Sequence, residues 1–230
     1  MKKILTALTT SAILSFLCSN KAQAITFVEN NAGDTLATAQ VIPSNGSGGS
    51  IVPSYINIQG VLDSASNVDM FKLYLTGNQT FSAQVVTTGT SVIDSRLYLF
   101  DSTGKGVEAN DDINTNNGNF LSELTLGGLS PSTSGFYYLA VTTTDNDALN
   151  LLNNAIFDLS SDPSAVVAPS ASPAVLNNWA GTTGEVGTYN IALTGVQIAN
   201  QPVPEPNTIG GVLLGLGLAY LNIRKISPKK

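Results

Sequence analysis

The 230-residue sequence predicts an all-β fold, a single antiparallel β-sandwich or jelly roll flanked by an N-terminal signal helix and a C-terminal transmembrane helix. Period-two patterning is the first observation behind this. Phe71, Leu73 and Leu75 alternate with Met70, Lys72 and Tyr74; Leu97 and Leu99 with Arg96, Tyr98 and Phe100; Tyr137, Leu139 and Val141 with Phe136, Tyr138 and Ala140; and Tyr189, Ile191 and Leu193 repeat the pattern near the end. Such alternation, rich in Thr, Val, Tyr and Phe, marks half-buried strands. Turn chemistry is the second. Asn45-Gly46, Thr76-Gly77-Asn78, Ser102-Thr103-Gly104, Asn117-Gly118 and Ser134-Gly135 punctuate the runs. Further strands are predicted at Tyr55–Leu62, Thr80–Thr88 and Phe120–Leu126, and seven or eight short strands at this spacing fit a sandwich.

Taken in order, residues 1–24 read as a signal peptide: Lys2 and Lys3, an apolar stretch from Ile4 to Leu17, then Ala22-Gln23-Ala24 as a small-residue site. Signal peptidase is the expected partner here, cutting between Ala24 and Ile25. Cys18 is the only cysteine, so the mature chain has no disulfide. Residues 25–201 form the body. Within it, Ala148–Leu159 has partly helical spacing and predicts one short helix on a sandwich edge, inside a flexible insertion of about 145–183 rich in Ser, Ala, Pro, Gly and Asn. Trp179 lies in that insertion, and a lone tryptophan in a polar segment reads as a staple over a core edge.

Residues 202–230 have the form of an address. Pro204-Glu205-Pro206 is a stiff spacer, residues 208–223 carry no charge, and Arg224, Lys225, Lys229 and Lys230 supply the basic end that holds a tail on the cytoplasmic side. The run is at the short end of the roughly 17–25 residues needed to span a bilayer. This order resembles the PEP-CTERM sorting signal, which implies inner-membrane anchoring through 208–223, an exosortase-type processing enzyme as partner, and a final place at the cell surface or outside the cell. A plain membrane anchor would need the apolar run and the charges but not Pro-Glu-Pro.

Composition narrows the chemistry. Between Ile25 and Val203, fifteen Asp and Glu face only Lys72, Arg96 and Lys105, a net charge of −12. Such a body repels phosphate backbones, so nucleic acid is not a partner. No histidine occurs anywhere, which excludes Ser-His-Asp and Cys-His catalysis and ordinary zinc ligation. No pair of carboxylates is placed by sequence across a sugar, and Lys72 and Lys105 have no dyad context; the chain does not read as an enzyme, with a hydrolase the distant alternative. Calcium suits what remains, since it takes about six to eight oxygen ligands.

Two clusters offer them. One joins Glu29, Asn30, Asn31 and Asp34 to Asn67 and Asp69 at the entry of a strand. The other is a loop with Asp112, Asn114 and Asn116 at alternate positions and Glu123 eleven residues after Asp112. That spacing is EF-hand-like, although Asn117 stands where glycine is expected and the flanks are strands. Both clusters are also readable as solvated Asx turns.

An ordered set of short pieces then resembles bacterial pre-peptidase C-terminal domains. Glu29-Asn30-Asn31 with Asp34-Thr35 and Ala39 comes first, then Gly60 and Asn67-Val68-Asp69-Met70-Phe71-Lys72-Leu73. Asp94, Leu97-Tyr98-Leu99-Phe100-Asp101, Gly104, Asn110-Asp111-Asp112, Ser122, Gly135 to Val141 and Tyr189 to Leu193 follow. The resemblance spans Glu29 to Val196. It implies an accessory β-sandwich of secreted proteins, often calcium-stabilised, with Glu29, Asn31, Asp34 and Asp69 as ligands; Asn67 in place of an acid and the long insertion depart from the pattern. The expected function is a non-enzymatic, calcium-supported surface or matrix protein. A lectin-like polysaccharide-binding module is the alternative, and it would need Trp179 and outward-facing members of Tyr98, Phe100 and Tyr138.

Overall fold

The computed structural model describes residues 25–44, 56–86, 93–124, 131–181 and 184–197. The leader through Ala24, the Pro204-Glu205-Pro206 motif and the apolar run 208–223 lie outside these residues. Among the described residues there is no α-helix and no helix long and apolar enough to cross a membrane.

The chain is all-β. Its strands are β1 Ile25–Val28, β2 Gln40–Val41, β3 Ile56–Leu62, β4 Val68–Leu75, β5 Ser82–Val86, β6 Ser95–Phe100, β7 Gly106–Asn110, β8 Glu123–Leu124, β9 Gly135–Thr143, β10 Asp147–Leu149, β11 Asn178–Ala180, β12 Gly187–Thr194 and β13 Val196–Gln197. One sheet has the order β1-β3-β12-β5-β8, and a second has β13-β4-β9-β6-β7, with β2 also paired to β4. Pairing is antiparallel except at two edges, where β1 runs parallel to β3 and β2 parallel to β4.

Alternation builds the core between the two sheets. Ile56 and Ile58, Ala83 and Val85, and Tyr189, Ile191 and Leu193 from one sheet meet Phe71, Leu73, Leu97, Leu99, Leu139 and Val141 from the other. The second sheet, however, is not half-buried. Its opposite face carries Met70, Tyr98, Phe100, Tyr138 and Ala140, and these are buried too, in a second cluster with Ile156, Phe157 and Leu159. The alternation in these strands divides one core from another, because a further layer covers the outer face.

That layer is the segment in which a short helix was expected. Ala148–Leu159 contains none: β10 ends at Leu149, and the next residues turn back so that Leu149 and Ala155 form an antiparallel bridge. Asparagine chemistry overrides the apolar spacing. The Asn150 side chain accepts from the backbone N–H of Leu152 and Asn154, and Asn153 takes a left-handed φ of 56°, so a helix cannot propagate. Leu151 and Leu152 are left exposed at the turn tip, while Ile156, Phe157 and Leu159 enter the second core. The insertion is fastened further along by β10–β11 pairing and by Ala109–Val167 and Lys105–Val175 bridges. Trp179 packs edge-on against Tyr98 and Phe100, with ring centroids 5.3 and 6.1 Å away. It closes the edge of the second core.

Candidate metal centre

A hairpin gathers the acids. Strands β6 and β7 pair antiparallel with Leu97 opposite Asn110, so Asp94, just before one strand, comes alongside Asp111 and Asp112, just after the other. Carboxylate oxygens of these three residues lie within 4.8 Å of one another, and they are the only such trio among the described residues.

The loop carrying Asp111 and Asp112 is held by the buried Asn110 side chain. Its Nδ2 donates to the carbonyls of Asp112, Pro163 and Ala165 at 3.0 to 3.3 Å, and its Oδ1 accepts from the Glu123 N–H at 2.8 Å. Nearby, Ser95 and Ser122 exchange a buried hydroxyl contact of 2.9 Å. The acids therefore sit on a fixed frame.

Arg96 satisfies only part of this charge. Its Nε and Nη2 donate to both oxygens of Asp111 at 2.7 and 2.9 Å, and its Nη1 donates to Asp147 at 2.8 Å. Burial disfavours the guanidinium charge, yet the Asp111 hydrogen bonds and the charges around it hold the Arg96 pKa above the ordinary value. Asp94 and Asp112 receive no such bond. Burial, then the Asp112, Asp111 and Glu185 carboxylates, push the Asp94 pKa up to about 6 against the pull of Arg96. Burial, then Asp111, does the same for Asp112, also to about 6. Asp112 is only 5% exposed, and its Oδ1 is buried with no hydrogen-bond partner.

A hard divalent cation fits this donor set. Calcium, for one, takes oxygen ligands at about 2.3–2.6 Å, so its ligands lie within a few ångströms of one another, and a cation's charge would relieve three crowded carboxylates and supply the partner Asp112 lacks. An isolated buried carboxylate is otherwise costly.

The residues expected from the sequence are arranged differently. Of the local loop, only Asp112 joins the trio. Asn114 Oδ1 accepts from the Asn116 N–H and caps the single 3-10 turn Thr115–Asn117, whose C-cap Gly118 adopts a left-handed φ of 73°. Asn116 is exposed, and Glu123 pairs along β8 with Gln84 on β5. The EF-hand-like spacing thus serves a turn and a strand.

The N-terminal set separates as well. Glu29 Oε1 accepts from the Ala32 N–H at 2.9 Å, Asn31 is exposed with φ of 63°, and exposed Asp34 lines a groove beside Trp179. Asp69 is buried and accepts from Tyr189 Oη at 2.7 Å and Asn67 Nδ2 at 3.3 Å. Burial, moderated by the Tyr189 bond and raised again by the Glu29 charge, puts its pKa at about 6. Glu29 and Asp69 are electrostatic neighbours, but the structure does not bring Glu29, Asp34 and Asp69 into one carboxylate trio.

Asp94 and Asp111 are the site residues that spacing alone misses. A signal was present: reflecting the chain through the Ser102-Thr103-Gly104 turn lays Asp94 against the Asp111-Asp112 pair. The aromatic platform expected of a lectin is also reduced, since Tyr98, Phe100 and Tyr138 are all buried.

No family model matches the chain, and no curated protein matches it. Among solved structures the chain is similar to PliG of Aeromonas hydrophila, a periplasmic lysozyme inhibitor of g-type lysozyme, at 11% identity over 69% of this chain and 97% of that one, with a TM-score of 0.35. At that identity and score the likeness assigns no function.

Proposed function

We propose that this protein is an exported, non-enzymatic β-sandwich supported by calcium at Asp94, Asp111 and Asp112 and delivered to the cell surface or the extracellular polymer layer. The observation that carries the cation is the unpartnered, buried Asp112 Oδ1 inside a carboxylate trio. An ion there would clamp the start of β6 to the end of β7. Through Arg96, which bridges Asp111 to Asp147 on β10, the same clamp reaches the layer over the second core. Support for export is in the sequence: the Lys2-Lys3 leader ending at Ala24, and the Pro204-Glu205-Pro206 address with its apolar run and basic end. The resemblance to pre-peptidase C-terminal domains agrees with an accessory rather than a catalytic role.

Intact mass of the protein recovered from the cell surface and the medium tests the sorting half. The proposal expects material that starts at Ile25 and ends near residues 204–207. Recovery of the surface form with 208–230 attached contradicts sorting and leaves a plain anchor. Thermal unfolding tests the cation half. Calcium at about a hundredfold excess over Kd adds about 2.7 kcal/mol to the folded state, and magnesium, which dehydrates reluctantly, adds much less. Equal shifts with both ions, or none, contradict it.

A further inference from the structure

A groove of about 580 Å³ runs between the N-terminal loop and the insertion, lined by Asp34, Leu176, Asn177, Asn178 and Trp179 among others. Its volume falls within the roughly 300–1,000 Å³ typical of small-ligand sites. The groove exists only in the folded chain, because it rests on a contact between segments 145 residues apart: Trp179 Nε1 donates to the Asp34 carbonyl oxygen at 2.8 Å. That bond, with the edge-on packing against Tyr98 and Phe100, fixes the indole. A ring already fixed loses little freedom when a ligand arrives.

The lining has one chemical character. The partly buried indole and the partly buried Leu176 side chain give an apolar surface, and around them stand a carboxylate and two carboxamides on exposed residues. Carboxamides both donate and accept, and a carboxylate accepts on two oxygens. Flat apolar area edged by such groups complements a pyranose, which presents a C–H face and a rim of neighbouring hydroxyls. Among the described residues no Lys or Arg lines the groove, so an anionic ligand would meet Asp34 with no counter-charge from them. A hydrocarbon ligand is equally ill-suited, because it would strip water from Asp34, Asn177 and Asn178 and return no hydrogen bond.

We propose that this groove binds a neutral saccharide chain, seated on Trp179 and held by Asp34, Asn177 and Asn178. None of the three cation-site aspartates lines it, so the proposal stands or falls apart from the calcium reading.

Trp179 is the only tryptophan in the chain, so indole emission reports on this groove alone. The experiment titrates the purified full chain with neutral gluco-, galacto-, manno- and N-acetylglucosamine-based oligosaccharides, with alginate oligomers as the acidic comparison, following emission and acrylamide quenching. At least one neutral series is expected to give a saturable emission change with protection from the quencher, and alginate none. Asp34→Asn and Asn178→Ala, both at exposed positions, are expected to weaken that binding about tenfold each while leaving the melting temperature unchanged. The proposal is overturned if no neutral saccharide changes the emission, if alginate alone does, or if both variants bind as the parent does.

Discussion

The Tyr189 hydroxyl, on the sheet of β3, β5 and β12, reaches through the core to donate a 2.7 Å hydrogen bond to Asp69 on β4 of the facing sheet. Gly60 makes this possible. It lies opposite Tyr189 in the β3–β12 register, and a Cβ at position 60 would collide with the tyrosine ring and come within 2.8 Å of the Glu29 Cβ. Tyr189→Phe is expected to cost about 1–3 kcal/mol, because Asp69 stays buried without its strongest donor. Gly60→Ala is expected to destabilise as well, and the double variant to lose less than the two single losses together, since both act on one contact. Urea denaturation of the three variants checks this; additive losses would mean that Gly60 does not act through Tyr189.

Arg96 predicts a contrast between its two partners. Asp111 is buried and doubly bonded, so Arg96→Met leaves a desolvated carboxylate without a cation and is expected to cost about 3–5 kcal/mol. Asp147 is 42% exposed at the side chain, and water can replace the guanidinium. Asp147→Asn is expected to cost about 1 kcal/mol or less. Equilibrium unfolding of the two variants in the absence of calcium is the comparison, and similar losses would contradict it.

Glu108 predicts how stability depends on pH. It lies on β7 opposite Leu99, so it faces the core between the sheets; it is 2% exposed, and its Oε2 has no partner. Burial alone raises its pKa from the ordinary 4.5 to about 7. The folded state therefore holds this proton more tightly than the unfolded chain does. Its stabilising effect is complete below about pH 4.5 and is lost as pH rises through about 7. Asp69 acts in the same direction over a lower window, up to about 6. Glu108→Gln is expected to flatten the fall in melting temperature between about pH 5 and pH 8, and to leave the variant more stable than the parent at the upper end. An unchanged slope would show that Glu108 is not the titrating group.

Much of the framework is legible in the sequence because it depends on local rules. The cores of β3, β4, β6, β9 and β12 follow alternation, and the turns at Gly104 and Gly118 follow glycine chemistry, both with φ above 70°. What was not legible depends on contacts between distant segments. Tyr98, Phe100 and Tyr138 alternate with aliphatic residues and so read as a solvent face, yet Ile156, Phe157 and Leu159 of a later segment cover them. The Ala148–Leu159 spacing is partly helical, but Asn150, Asn153 and Asn154 turn the backbone before a helix can form. At the candidate site, Asp112 was visible by spacing. Asp94 needed the hairpin register, while of the linear set Asn114 caps a 3-10 turn and Glu123 lies on β8 opposite Gln84, so neither joins the carboxylate trio.

The central claim is that a divalent ion binds Asp94, Asp111 and Asp112 rather than the set Glu29, Asn31, Asp34 and Asp69. Calorimetric titration of calcium into the purified parent, Asp112→Asn and Asp34→Asn tests it most directly. The account predicts one saturable site in the parent, its loss in Asp112→Asn, and its survival in Asp34→Asn. Calcium binding that persists in Asp112→Asn and disappears in Asp34→Asn would contradict it and return the site to the N-terminal cluster.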